Sequence, residues 1–186
     1  MRKQIVGAAL IGALAVGGGV LWQAPAFCAT PDLEAAFSPD GGAERLVLRT
    51  IYGAQQSVRV MAYSFTAAPV VKALLDAKRR GVDVAVTVDY RSNVDEDRSG
   101  KAAAALRALV YAGIPVRVVR AYAMQHSKFI VTDRTTVQTG SYNFSQAAAR
   151  VNSENVVVLS NQPEIAQAFL RNWSEVSAAG EVYRAP

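Results

Sequence analysis

Apolar and polar residues alternate along most of the chain with two periods, one typical of strands and one typical of helices. Every second residue from Val82 to Val88 is valine, with polar or small residues between, which predicts a half-buried strand. Ile165, Phe169 and Trp173 recur four residues apart, which predicts a helix with one apolar face. Segments of the two kinds follow one another along the chain, and this order predicts an α/β fold.

The predicted elements lie after residue 42. Residues 30–42, with two prolines and two adjacent glycines, are predicted to be an irregular leader, and Thr66 is a candidate N-cap. The sheet is expected to be mixed, mostly parallel and flanked by helices on both faces. Helices are predicted at 43–54, 66–80, 101–112 and from 161 onwards, a polar loop at 91–100, and strands at 59–63, 82–88, 116–119, 129–131, 136–139 and 156–159.

The first 26 residues have the three-part pattern of a secretory signal peptide. Two basic residues, an uncharged run from Ile5 to Trp22 and the small residues of Ala24-Pro25-Ala26 follow one another. Cleavage as late as residue 29 also fits, and an uncleaved membrane anchor is the alternative, although glycines in the run weaken a permanent helix. We therefore predict a single domain over residues 30–186 that is periplasmic or secreted, without stable membrane association once the signal is removed.

Composition narrows the classes of protein further. Hydrophobic residues make up 51% and charged residues 19% of the 186 residues, which excludes a disordered chain. The formal charge of +5 falls to +3 without Arg2 and Lys3, so basicity alone says little about partners. One cysteine excludes a disulfide framework and a cysteine zinc site. One histidine means that chemistry needing two imidazoles must draw on a second chain.

That histidine stands in an H-x-K-x4-D motif formed by His126, Lys128 and Asp133. Residues two apart in an extended segment share a face, so His126 and Lys128 are expected to point the same way while Phe129 and Val131 bury on the other side. An ammonium beside an imidazole neutralises a phosphate and favours the neutral, nucleophilic ring. The alternative is a core histidine with a surface lysine and a turn aspartate.

Polar residues that suit the same chemistry follow the motif. Gly140 allows close backbone approach, and Ser141 and Asn143 can donate to phosphate oxygens. Glu154 stands just before an apolar strand, where a carboxylate can accept from one imidazole nitrogen and orient the other. An ordinary polar turn and a solvated charge at a strand end are the alternatives for these residues.

Together these residues resemble the phospholipase D superfamily, and within it the small single-motif bacterial endonucleases of the EDTA-resistant periplasmic type. The likeness covers residues 58–89 and 124–159. It implies that His126 attacks phosphorus to form a phosphohistidine and that Glu154 orients it. It also implies that Asp133 supports the catalytic pocket. The phosphate oxygens would be bound by Lys128, Ser141 and Asn143.

The resemblance also implies partners and cofactors. Members of the superfamily use one histidine to attack and a second to protonate the leaving oxygen, so His126 would act together with its copy in a symmetric homodimer. Covalent catalysis needs no metal-activated water, and we predict no metal site and no cofactor. The expected function is a secreted, metal-independent, non-specific endonuclease acting on DNA, with RNA as a further candidate. A lipid phosphodiesterase of the same chemistry is the alternative, followed by a binding protein that has lost activity.

Overall fold

One eight-stranded sheet organises the chain in a computed structural model that describes residues 33–185. The predicted signal peptide lies outside the described residues. The strands are β1 (Leu33–Ser38), β2 (Ser57–Ala62), β3 (Asp83–Asp89), β4 (Val116–Val119), β5 (Phe129–Thr132), β6 (Thr136–Gly140), β7 (Glu154–Leu159) and β8 (Glu181–Val182). The helices are α1 (Gly42–Gly53), α2 (Ala68–Arg79), α3 (Lys101–Tyr111), α4 (Gln146–Arg150) and α5 (Pro163–Ala178), and Arg91–Asp95 forms a π-helical turn.

The strand order is β1-β7-β6-β5-β2-β3-β4-β8. The prediction of a mixed sheet is confirmed, but the prediction that it is mostly parallel is wrong. Only the β2–β3 and β3–β4 pairs are parallel, and the other five pairs are antiparallel. The connection that follows β5 is one reason. Parallel neighbours need a crossover such as α2 or α3, whereas a short turn over residues 133–135 joins β5 directly to β6.

Several elements differ from those predicted. The expected leader contains β1, which pairs with β7 along its whole length and is held by that pairing rather than by an apolar pattern of its own. The helix predicted to be capped by Thr66 begins at Ala68, and its N-cap is Ala67, which makes no side-chain capping bond. The π-helical turn replaces the first part of the predicted loop, and α4 and β8 were not predicted.

Two apolar layers cover the sheet, which confirms helices on both faces. The first four helices pack on one face and α5 packs on the other. Ile130 belongs to the first layer, while its neighbours Phe129 and Val131 belong to the second, as the period of two predicts. In α5, Phe169 and Trp173 pack against the second layer, whereas Ile165 is 36% exposed.

Gly140 is predicted to tolerate no side chain. Its φ is +152°, and a Cβ there would lie 2.2 Å from the carbonyl oxygen of Asn155. We expect Gly140→Ala to lower the free energy of unfolding by about 3 kcal/mol, because β7 must shift to make room. Urea denaturation measures this. Gly53→Ala at the end of α1 is the control, since that Cβ would meet no atom within 4 Å. Equal effects of the two substitutions would contradict the prediction.

Candidate active site

His126 and Lys128 lie in the segment that enters β5, at the edge of the sheet where β2 and β3 end. The Lys128 Nζ is 3.0 Å from Nδ1 and 3.2 Å from Nε2 of His126, and it donates to the His126 carbonyl oxygen at 2.7 Å. The two side chains therefore point the same way, as the spacing predicted. The imidazole is exposed and the lysine is buried, so the ring is accessible to a substrate while the ammonium is fixed beneath it.

The backbone around His126 is held by buried polar groups. The Asp89 carboxylate, only 2% exposed, accepts from the Gln125 N–H at 2.9 Å and from the Ser92 N–H at 2.7 Å. With its amide oriented to satisfy both ends, Gln125 donates to the Ala62 carbonyl oxygen at 3.0 Å and accepts from the Ser127 N–H at 3.2 Å. The residues on both sides of the histidine are thus tied to the ends of β2 and β3.

The electrostatics of the site centre on Lys128. Burial lowers the pKa of Lys128, and the negative charge of Glu154 partly offsets that effect. An ammonium that has lost part of its hydration gains more from a second anion than an exposed lysine does. The site is therefore suited to binding an anionic group such as a phosphodiester.

Ser141 and Glu154 form a hydrogen-bonded pair on the opposite wall. The Ser141 hydroxyl donates to Glu154 Oε2 at 2.6 Å and accepts from the Asn155 N–H at 3.0 Å. Glu154 Oε1 accepts from the Asn152 amide at 2.9 Å. Both carboxylate oxygens thus bind groups other than the imidazole, and the predicted contact between Glu154 and His126 is not formed in this structure.

Five of the six predicted site residues line one cleft of about 760 Å³. Asn143 is among them, and its side-chain oxygen is buried without a hydrogen-bond partner among residues 33–185. The cleft is lined by His126, Ser127, Lys128, Phe129, Thr139, Gly140, Ser141, Asn143, Glu154, Ala168, Phe169 and Asn172.

Asp133, the sixth predicted residue, does not line this cleft. It follows the last residue of β5, about 13 Å along the strand from Phe129. Its carboxylate accepts from the N–H groups of Gln55, Gln56 and Ser57 at 2.7 to 3.2 Å. The expectation that Asp133 supports the catalytic pocket is therefore not met by the geometry, because it anchors the connection from α1 to β2 at the far end of the strand.

Comparison with known proteins identifies the family. Residues 47–176 match the family model described as cardiolipin synthase, PLD-like domain. The chain belongs to the phospholipase D superfamily. A solved structure of the phospholipase D family member Nuc from Salmonella typhimurium is 43% identical, with a TM-score of 0.80, and the match covers 83% of this chain and 99% of Nuc. The predicted phospholipase D-like fold is thereby confirmed.

Curated relatives in the superfamily carry lipid-related names. A protein of Rickettsia conorii named phospholipase D is 35% identical over 137 residues, or 74% of this chain and 65% of that protein. The mitochondrial cardiolipin hydrolase of Xenopus tropicalis is 32% identical over 155 residues, or 82% of this chain and 68% of that protein. The chain thus spans slightly less than two thirds of the rickettsial relative.

Four residues that lie in or beside the cleft were not predicted from the sequence. Phe169 and Asn172 come from α5, and Thr139 comes from β6. The helical pattern marked Phe169 as a core residue, and it does pack edge-on against Phe129 while lining the cleft. Tyr63, at the end of β2, touches the imidazole of His126. No local pattern marks Tyr63, because the contact depends on the pairing of β2 with β5.

Residues 33–185 contain no cluster of three or more histidine, cysteine, aspartate or glutamate side chains arranged to hold a metal ion. No helix in the same range has both the length and the apolar character to cross a membrane.

Asp133→Asn should lower stability and leave catalysis intact. Asparagine tolerates the left-handed conformation at this position (φ 52°) and keeps one acceptor oxygen, but it loses the charge and the second acceptor. We expect the free energy of unfolding to fall by about 1–2 kcal/mol. Turnover below the unfolding transition should stay within about twofold of wild type, because the carboxylate lies outside the cleft. A large loss of turnover with unchanged stability would contradict this assignment.

Proposed function

We propose that this protein is a phosphodiesterase that cleaves nucleic acid, with DNA as the main substrate and RNA as a further candidate. The observation that carries the proposal is the pair formed by His126 and Lys128, an exposed imidazole 3.0 Å from a buried ammonium on the wall of an open cleft. A nucleophile beside a fixed positive charge is the arrangement that attack on a phosphodiester requires.

The reaction proceeds in two displacements. A ring nitrogen of His126 attacks phosphorus, an N–P bond forms, and the P–O bond to the leaving oxygen breaks as a general acid protonates that oxygen. Water then attacks phosphorus, the N–P bond breaks, and the general acid, now acting as a base, takes the proton of the water. Histidine takes the place of an activated water in the first step, so this mechanism uses no cofactor.

The residues around the nucleophile stabilise the charge that develops. Lys128 supplies the positive charge, and the Asn143 amide donates to the phosphate oxygens. Ser141 donates as well once its hydroxyl turns from Glu154 to the substrate. Support for Asn143 comes from its position in the lining of the same cleft as Lys128 and Ser141. Glu154 accepts a hydrogen bond from Ser141, and its negative charge partly offsets the lowering of the Lys128 pKa by burial. Its orienting role toward His126 would require a different rotamer.

The general acid is proposed to be His126 of a second copy. The sequence contains one histidine, and a symmetric dimer places like residues opposite one another across the two-fold axis. The exposure of His126 is compatible with such an arrangement, because the ring lies where a second chain can approach it. The catalytic unit is then a homodimer with one shared cleft.

Nucleic acid is favoured over lipid by the sequence resemblance. The segments that resemble periplasmic endonucleases, residues 58–89 and 124–159, include the whole catalytic region. The lipid alternative draws support from the names of the curated relatives, phospholipase D and cardiolipin hydrolase. The amino-terminal pattern supports export, so we propose that the enzyme acts in the periplasm or outside the cell.

Plasmid digestion in excess EDTA tests the proposed function. Mature protein is expected to nick DNA in EDTA, and His126→Ala is expected to lose about 10⁴-fold or more in rate, because the covalent step is removed. Asp133→Asn serves as a variant of the same motif outside the cleft. Loss of wild-type activity in EDTA would contradict the metal-independent mechanism. Cleavage of phosphatidylcholine or cardiolipin vesicles without cleavage of DNA would establish the lipid alternative.

Subunit mixing tests the shared cleft. When His126→Ala protein is added to an equal amount of wild type and subunits exchange, the activity per wild-type chain should fall to about half, because only dimers with two imidazoles are active. Independent active sites predict no change on mixing. Analytical ultracentrifugation verifies the association state, and full activity of a monomer would exclude the shared cleft.

A further inference from the structure

The imidazole of His126 lies against the aromatic ring of Tyr63, a residue with no role in the two displacements proposed above. The centroid of the Tyr63 ring is 4.5 Å from that of the imidazole, and the two planes are inclined by 56°. The Lys128 Nζ lies 5.2 Å from the centroid of the same ring. Since Nζ is also 3.0 Å from the imidazole, the three side chains form a closed group in which each touches the other two.

Tyr63 is itself held in place by the π-helical turn. Asn93, which has no exposed surface, donates to the Tyr63 carbonyl oxygen at 2.5 Å and to the Asp89 carbonyl oxygen at 2.8 Å. Its side-chain oxygen accepts from the Phe65 N–H at 2.9 Å. One buried amide thus fixes the backbone on both sides of the turn into α2.

The geometry limits the motion of an exposed nucleophile. An exposed histidine ordinarily samples several rotamers, and attack on phosphorus requires one of them. The ring of Tyr63 blocks rotation of the imidazole toward β2, and its π face attracts the Lys128 ammonium to the same side. Both effects require an aromatic ring and neither requires the phenolic hydroxyl.

We propose that Tyr63 is a positioning residue for His126 and Lys128, and that its aromatic ring, carried on a backbone that Asn93 fixes, keeps the imidazole in the orientation for attack. The inference rests on the proposed role of His126 as nucleophile. It does not depend on whether nucleic acid or lipid is the substrate, because the group acts on the phosphodiester itself.

Tyr90 offers a matched control. It follows β3 as Tyr63 follows β2, and both tyrosines are half-buried. Tyr90 also has a cation near its ring, since the Arg120 guanidinium carbon lies 3.3 Å from the centroid. No ring contact joins Tyr90 to His126 in the described part of the chain. Tyr90→Leu therefore removes a similar ring from the neighbouring strand without touching the nucleophile.

The experiment measures hydrolysis of bis(p-nitrophenyl) phosphate by the mature protein and its variants. Tyr63→Leu should lower kcat about tenfold or more with KM changed less than about twofold, because the orientation of the nucleophile is lost and binding is kept. Tyr63→Phe should retain kcat within about twofold, and Tyr90→Leu should do the same. Thermal unfolding confirms that each variant is folded at the assay temperature.

Proton NMR gives a readout that does not depend on turnover, and the contact between the two rings can be measured in the wild type without any variant. The sequence has a single histidine, so its two imidazole C–H signals belong to His126 without ambiguity. In wild type these protons should show a nuclear Overhauser effect to the Tyr63 ring protons. The ring-current shift they carry should persist in Tyr63→Phe and disappear in Tyr63→Leu.

The outcomes separate this inference from the proposed function. Failure of the wild type to hydrolyse the ester, or retention of activity by His126→Ala, would overturn the proposed function. If those two results are as expected, the positioning role is overturned when Tyr63→Leu keeps half or more of the wild-type kcat. It is also overturned when Tyr63→Phe loses as much as Tyr63→Leu, or when the wild type shows no contact between the two rings.

Discussion

The buried carboxylate of Asp89 is the constraint on which the site depends. A charge with 2% exposure at the end of a central strand is costly unless hydrogen bonds replace the water it has lost. Two backbone N–H groups do so, one from Gln125 and one from Ser92. The first fixes the residue before His126, and the second fixes the start of the π-helical turn that holds Tyr63. The hydrogen bonds to one buried carboxylate therefore set the positions of His126, the proposed nucleophile, and of Tyr63 beside it.

At this edge of the sheet, an exposed side chain lies between two buried ones. Lys128 and Gln125 are buried, whereas His126 between them is exposed. The proposed nucleophile must be accessible to its substrate, and attack also requires that its backbone stay in place. Fixing the flanking residues by hydrogen bonds while leaving the imidazole to solvent meets both requirements. Burial of the lysine adds a charge whose attraction for phosphate is less screened by water.

Sequence patterns predict the parts of this arrangement that are local in the chain. His126 and Lys128 are two residues apart, so the period of an extended segment is enough to place them on one side. Asp89 and Tyr63 are brought to His126 by the pairing of β2 with β3 and β5, which no window of sequence contains. Asp133 is an error of the other kind. Its place in the motif predicted a position in the cleft, but the length of β5 puts it at the far end of that strand. The β1 strand was missed for a related reason, since pairing with β7 rather than its own pattern defines it.

The cleft formed by residues 33–185 of a single chain holds the proposed nucleophile, His126, and no free acid beside it. Lys128 donates to the His126 carbonyl oxygen and is buried, so it is poorly placed to follow a leaving oxygen outward. Glu154 is occupied by Ser141 and Asn152 through both of its oxygens. An ionised carboxylate that accepts two hydrogen bonds has no proton to give. In the proposed mechanism the general acid therefore comes from outside this cleft, and His126 of a second copy is the one imidazole that the sequence can supply.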